Sequence, residues 1–399
     1  MKLNGHPILL KILFIFFLIS LFNYSCRRPV TGFLDDVIDS LAVVHAPDIR
    51  EAVFEAELYS LGKNMILRGE TNLPEAKDDI LSILEKKNIE FIDSLRLLPD
   101  PSETDKPWGI VNVSVCNMRL SGSYSSELVS QALMGTPVRI LKSRRGWLFV
   151  QTPDLYLGWI DDGAIQTFDE EDFGRWKKSQ RVIYIKKTGD ILSDPFSGRV
   201  ISDIVAGCIL EFTGIEKGFF RVRLPDGREG FLPVADAVYL DDWLAAGMPA
   251  DTGKLKSTAE SFTGIPYWWG GTSVKGFDCS GFVKTVYFLN GIILARDASL
   301  QFRHGAWLSK ESWPDSLRTG DLLFFGTIRN GRPRATHVGM YIGNSEFIHC
   351  SGMVKVNSLD STRSNFTRSR RDTFLGVRRI TGAEKARGIQ TVSDHKWYR

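Results

Sequence analysis

Apolar residues recur at i, i+3 and i+4 spacing in Phe282, Val283, Val286 and Tyr287, which predicts an amphipathic helix directly after Asp278-Cys279-Ser280-Gly281. Another helix is expected to start at Asn72-Leu73-Pro74-Glu75-Ala76, with proline in its first turn and Ile80, Leu81, Ile83, Leu84 and Ile89 on its buried face. Ile49–Leu67 reads the same way, and Leu255–Phe262 adds one more helix. Residues 27–105 are therefore expected to form a mostly helical or α+β N-terminal domain. Beyond the Pro-flanked linker 101–107 the pattern changes to short apolar runs broken by Gly, Pro and Asp, as in GWLFVQTPDLYLGWI and GFFRVRLPDGREGFL. A shift of 72 residues aligns six identities: Gly135 with Gly207, Gly146 with Gly218, Val150 with Val222, Pro153-Asp154 with Pro225-Asp226, and Gly158 with Gly230. Trp147 and Trp159 fall opposite Phe219 and Phe231. This is a duplicated small barrel, expected over 106–170 and 171–245. A last domain is expected over 246–385, with 386–399 as a tail.

The N-terminus carries an address. Ile12–Phe22 is an apolar run too short to span a bilayer but long enough for the core of a signal peptide. Asn23-Tyr24-Ser25-Cys26 follows directly, ahead of Arg27-Arg28, and a cysteine in that place resembles a bacterial lipobox. The expected product is an exported protein held on a membrane by lipid on Cys26. Composition excludes several other classes. Of 399 residues 43% are hydrophobic and 24% charged, as in an ordinary globular protein, and the net charge is only +3. No basic stripe interleaved with aromatics marks a nucleic-acid binder. The five cysteines lie far apart with no Cys-x-x-Cys pair, which argues against a zinc site or a disulfide framework; no metal or cofactor is expected.

The chemistry centres on Cys279. A cysteine in the first turn of a helix sits against unpaired N–H groups and the positive end of the macrodipole, which favours thiolate over thiol. Such a nucleophile needs a base and an orienting group, and His337 and His349 follow downstream. A lone cysteine in a helix is ordinarily a small buried hydrophobe; the two histidines change that reading. His337–Ile342 and Glu346–Cys350 read as strands joined at Gly343-Asn344-Ser345. A three-residue loop sets His349 opposite Gly339 and leaves both histidines on one face. A two-residue loop would place them on opposite faces.

The block Pro266-Tyr267-Trp268-Trp269-Gly270-Gly271 with Asp278-Cys279-Ser280-Gly281-Phe282 resembles the NlpC/P60 peptidase family. So do Arg296-Asp297-Ala298 with Gln301, then Gly320-Asp321-Leu322-Leu323-Phe324-Phe325, His337-Val338-Gly339 and His349. The two barrels resemble bacterial SH3 (SH3b) domains. Together 105–380 resembles the γ-D-glutamyl-L-diamino acid endopeptidases of that family. The resemblance implies a papain-like catalytic domain behind two SH3-like barrels, in which Cys279 attacks, His337 serves as base and His349 orients it. It also implies that Tyr267 joins the Cys279 N–H in binding the oxyanion. By the same resemblance Asp278 and Ser280, with Glu127 and Tyr156 from the first barrel, bind the free amine of an N-terminal L-Ala. Trp269, Arg296 and Asp297 would line the D-Glu side, and Ala298 stands where the family often has Ser. The expected substrates are wall-derived peptides, L-Ala-γ-D-Glu-diamino acid. Two alternatives remain open on these residues: an endopeptidase acting on intact peptidoglycan stems, and a wall-binding lipoprotein without activity.

Overall fold

The structure, a computed structural model of the chain, describes residues 33–61, 64–196, 198–246, 251–384 and 388–399. Cys26 and the expected signal segment lie outside the described residues. The chain divides into two compact units, one ending at Leu98 and one starting at Pro99.

The first unit holds α1 (Phe33–His45), the hairpin β1 (Phe54–Leu61) and β2 (Asn64–Thr71), α2 (Pro74–Lys86) and β3 (Phe91–Leu97). Strands β1 and β2 are antiparallel, and α2 is the crossover that brings β3 parallel to β2. Leu41, Leu58, Leu67, Ile80, Leu84 and Leu95 form the core. Pro74 opens α2 as expected. Where a helix is expected over Ile49–Leu67, the chain instead forms β1 and the start of β2. Phe54, Ala56 and Leu58 pack on the core while Glu55 and Glu57 do not, a period of two rather than 3.6. The unit is therefore α+β and not mostly helical.

The second unit opens with two seven-stranded sheets. The first comprises β4 (Trp108–Val111), β5 (Val115–Arg119), β6 (Leu128–Leu133), β7 (Pro137–Arg144), β8 (Trp147–Gln151), β9 (Leu157–Asp161) and β10 (Ile165–Phe168), in the order β10-β4-β7-β8-β9-β5-β6. After α3 (Glu170–Lys178) come β11 (Arg181–Tyr184), β12 (Thr188–Leu192), β13 (Val200–Val205), β14 (Ile209–Glu216), β15 (Phe219–Arg223), β16 (Glu229–Pro233) and β17 (Ala237–Tyr239), in the order β13-β12-β16-β15-β14-β11-β17. Matched strand by strand, that is the same order read from the other end. The internal repeat is thus a repeat of topology. Its details repeat too. The β7–β8 and β14–β15 hairpins each turn through two residues of positive φ, Arg145-Gly146 and Lys217-Gly218. Each also carries a bulge, between Ile140 and Lys142 and between Phe212 and Gly214.

Helices α4 (Leu240–Ala246) and α5 (Thr252–Ser261) lead to a short ribbon, β18 (Thr272–Ser273) and β19 (Gly276–Phe277), and then to α6 (Cys279–Phe288). After β20 (Ile292–Leu294) and α7 (Ala298–Gln301) comes a six-stranded antiparallel sheet. Its strands are β21 (Ala306–Leu308), β22 (Leu322–Arg329), β23 (Arg332–Gly343), β24 (Glu346–Ser351), β25 (Met353–Ser358) and β26 (Phe374–Arg379), with α8 (Arg368–Asp372) between the last two. The order is β21-β26-β22-β23-β24-β25. The face of α6 expected to be apolar, Phe282, Val283, Val286 and Tyr287, is buried together with Leu322, Phe324, Val338, Met340 and Ile348. The expected C-terminal tail is built into the fold. Its β27 (Ile389–Thr391) pairs with β20, Trp397 packs edge-on against Trp108, and the Tyr398 carbonyl accepts a 2.7 Å hydrogen bond from Arg181 Nη2.

The second sheet seats against the first at the β6–β7 turn, where the Ile209 N–H donates to the Met134 carbonyl at 2.9 Å. In that turn Gly135 has φ +81°, and a Cβ there would lie 2.0 Å from the Ile209 carbonyl oxygen. Gly218 has a similar φ, +83°, but open space around it. Gly135→Ala is therefore expected to destabilise by about 2–3 kcal/mol and Gly218→Ala by only about 1 kcal/mol. Thermal unfolding of the two variants measures the difference; equal losses would show that the inter-sheet contact is not what demands glycine at 135.

Candidate active site

Cys279 is the first residue of α6, and Asp278 caps the helix by accepting from the Gly281 N–H at 2.7 Å. The same carboxylate accepts from Ser280 Oγ, the Gly270 N–H and both terminal nitrogens of Arg296. Arg296 is only 1% exposed, and its Nε–H donates to Ser130 on β6 at 3.1 Å. Although burial alone would lower it, the Asp278 charge raises the Arg296 pKa above its ordinary value. The donors of Arg296 are engaged inside the protein by Asp278, Ser280 and Ser130. The Asp278 carboxylate in turn accepts from five donors, which hold it and Ser280 in place.

The base comes from the β23–β24 hairpin. The loop is the two-residue turn Asn344-Ser345, both at positive φ, which by itself would separate the histidines. A bulge between Tyr341 and Gly343 takes up one residue, however, and Met340 pairs with Ile348. The register expected from a three-residue loop is thereby restored. A Cβ on Gly339 would lie 3.1 Å from that of His349, so glycine leaves the space this ring occupies. His337 and His349 share a face, Nε2 to Nδ1 at 2.7 Å.

The tautomers follow from a partner that the sequence did not flag. Asn357 Nδ2 donates to the Asn365 carbonyl at 2.9 Å, so its Oδ1 is the acceptor for His349 Nε2–H at 2.8 Å. Neutral His349 then accepts at Nδ1 from His337 Nε2–H. The lone pair of His337 is left on Nδ1. The Cys279 thiol lies against the Val338 N–H, the residue after His337.

Burial dominates the electrostatics. It pushes the Cys279 thiol up to about 11, with the Asp278 charge adding to it, against the lowering effect of the Val338 and Ser280 N–H groups. Burial also lowers His337 well below its ordinary value, helped by Arg370 and His349, and lowers His349 to about 4. Burial thus favours neutral thiol and neutral imidazole and opposes the thiolate that the helix N-terminus favours. Tyr267 is raised to about 12 by burial and by the Cys279 and Asp278 charges, so its hydroxyl remains a donor at neutral pH. Cys350 is a buried packing residue whose thiol donates to the Phe277 carbonyl at 3.2 Å.

The first seven-stranded sheet docks on the loop ahead of Cys279 through its edge strand β6. Gln131 binds Thr272 twice, accepting at Oε1 from its N–H at 3.0 Å and at its carbonyl from Oγ1 at 2.9 Å. Glu127 accepts from Trp269 Nε1–H at 2.7 Å, and the buried Tyr156 donates to Asp297 Oδ2 at 3.0 Å. Of the expected residues, Glu127 thus meets Trp269, and Tyr156 meets Asp297, across this junction. Glu127 and Trp269 are exposed. Sequence reading missed Ser130, Asn357 and Arg370; polar residues on strands and a loop arginine give no signal without their partners.

A helix-borne cysteine with a base and an oriented second histidine defines a cysteine hydrolase. Residues 264–373 match the NlpC/P60 family, and residues 118–165 match the bacterial dipeptidyl-peptidase SH3 domain. A gamma-D-glutamyl-L-lysine dipeptidyl-peptidase of Bacillus cereus is 31% identical over 267 residues, covering 64% of this chain and 78% of that relative. Dipeptidyl-peptidase 6 of Lysinibacillus sphaericus is 31% identical over 268 residues, covering 63% of this chain and 91% of the relative. The crystal structure of an NlpC/P60 family protein from Bacillus cereus shares the fold, with a TM-score of 0.59 at 24% identity over 69% of this chain and 99% of that one. The chain belongs to the NlpC/P60 family of cysteine peptidases.

A neutral resting pair has a kinetic signature. Alkylation of Cys279 by iodoacetamide without substrate should rise about tenfold per pH unit from pH 7 toward 10, because the thiolate fraction grows until the pH nears the thiol's raised pKa. A rate already level between pH 6 and 8 would mean a thiolate–imidazolium pair and would sink this assignment.

Proposed function

We propose that the protein hydrolyses the bond between γ-D-glutamate and a diamino acid in wall-derived peptides with a free N-terminal L-Ala. The observation that carries the reading is the docking of the first seven-stranded sheet beside the nucleophile. There β6 meets the loop ahead of the nucleophile and Tyr156 meets the stretch after β20, and this junction carries the carboxylates of Glu127 and Asp297. A short acyl segment ending in an ammonium suits such an acidic junction, and an amide-capped one would bring no charge to complement the carboxylates. The names of the relatives point to the same substrate class.

In the mechanism His337 Nδ1 takes the Cys279 proton as sulfur attacks the γ-carbonyl carbon. The Cys279 N–H and the Tyr267 hydroxyl hold the oxyanion. His337 then protonates the departing α-amine, and water attacks the thioester by the reverse route, freeing Cys279 and the acyl dipeptide. His349, held by Asn357, keeps the imidazole in the required tautomer.

We further read the second seven-stranded sheet as another SH3-like barrel; the shared strand order, bulge and hairpin turn support this. Export and lipidation at Cys26 complete the proposal, on the strength of the apolar run before it. Metabolic labelling with a fatty acid should mark the full chain and not its Cys26→Ser variant; equal labelling would remove the anchor.

The central test is hydrolysis of L-Ala-γ-D-Glu-L-Lys and of its diaminopimelate counterpart by the full chain, read by mass spectrometry. Cleavage is expected, lost in Cys279→Ala and reduced at least about a hundredfold by N-acetylation of the alanine. Equal cleavage of the acetylated peptide would move the activity to intact stems; no cleavage of any peptide would leave a binding protein.

A further inference from the structure

Arg370, on α8, stands beside the catalytic histidines without an acidic partner. Its Nη2 donates to Ser351 Oγ at 3.3 Å, two residues beyond His349. Its guanidinium lies 5.7 Å from the centre of the Phe325 ring, which is itself 5.8 Å from the His337 ring. The acid on its own helix, Asp372, pairs with Arg368 at 3.7 Å. No carboxylate among the described residues pairs with Arg370, which is half-buried.

That placement opposes catalysis in the empty site. The positive field reaches His337, His349 and Cys279, and it disfavours the imidazolium that must form when His337 takes the thiol proton. A bound anion would cancel the penalty. The position also identifies which anion. On the reading above, the acyl segment lies toward the first seven-stranded sheet, whose β6 meets the loop ahead of Cys279. Arg370 comes instead from the segment after β25 and lies over Phe325, the ring next to His337, the group that hands a proton to the leaving amine. In an amino acid the α-carboxylate is two bonds from that amine.

We propose that Arg370 anchors the free α-carboxylate of the leaving diamino acid, so that the enzyme is built for peptides ending at that residue. The role rests on the substrate reading above and deepens it. Binding of the carboxylate offsets the guanidinium charge and makes His337 a better base only when the correct leaving group is in place. Substrate selection and activation of the nucleophile are then one event.

The test compares L-Ala-γ-D-Glu-L-Lys with its C-terminal carboxamide, using the full chain and its Arg370→Gln and Arg370→Lys variants. For the wild type kcat/KM should favour the free acid by about ten- to a hundredfold, the usual value of a charge-assisted hydrogen bond. In Arg370→Gln the ratio should fall to within a few-fold of one, while Arg370→Lys keeps part of it. A defect of folding would lower both rates and leave the ratio alone, so the ratio reads the contact itself. A wild-type ratio near one, or an unchanged ratio in Arg370→Gln, overturns the anchor while leaving the peptidase reading intact. Failure of the wild type to cleave either peptide overturns the substrate reading and the anchor with it.

Discussion

The site depends on the buried ion pair between Asp278 and Arg296. One carboxylate caps α6, holds the Gly270 turn, restrains Ser280 and receives a guanidinium whose remaining donor reaches Ser130 on β6. Burying two such charges is expensive, and the arrangement stands only because their hydrogen bonds are satisfied together. Losing one partner of such a pair typically costs about 3–5 kcal/mol. Since Ser130 belongs to the first seven-stranded sheet, the position of the nucleophile is a property of the docked pair. The sheet is part of the active site as well as a neighbour of it.

Burial also decides the charge state of the nucleophile. A helix N-terminus favours an anion by roughly 0.3–1 kcal/mol, whereas desolvation of a fully buried group shifts its pKa by up to about 3–5 units, and one unit is about 1.4 kcal/mol. Desolvation wins at Cys279 by this comparison. The sequence-level argument from the helix N-terminus had the right sign for one term and no access to the larger one, because burial is set by strands β23 and β24, far along the chain.

The same division runs through what was legible beforehand. Cys279, its helix and both histidines could be read because periodicity and motif spacing are local. The duplicated sheets could be read because Gly and Pro-Asp turns repeat at a fixed offset and each turn type demands its residues. Ile49–Leu67 was misread because its apolar positions fit either period, and only pairing of Leu58 with Leu67 decides between them. The pairing of Arg296 with Asp278 was not legible for a related reason: a charged residue in a motif looks available until its partners are seen, and these two are each other's partners.

The register of the catalytic hairpin shows how a correct outcome can rest on an incomplete reason. Counting a three-residue loop gave the right facing of His337 and His349, yet the turn has two residues and the extra one sits in a bulge. The bulge separates two requirements that a plain hairpin would couple: a tight turn of matching twist at Asn344-Ser345, and a pairing that turns both rings to one face. With both met, Asn357 can fix the tautomers through His349. An amide in that place orients His337 without lending it negative charge, and no carboxylate among the described residues hydrogen-bonds either ring. The imidazolium therefore lacks the counter-charge that a Cys-His-Asp arrangement would supply.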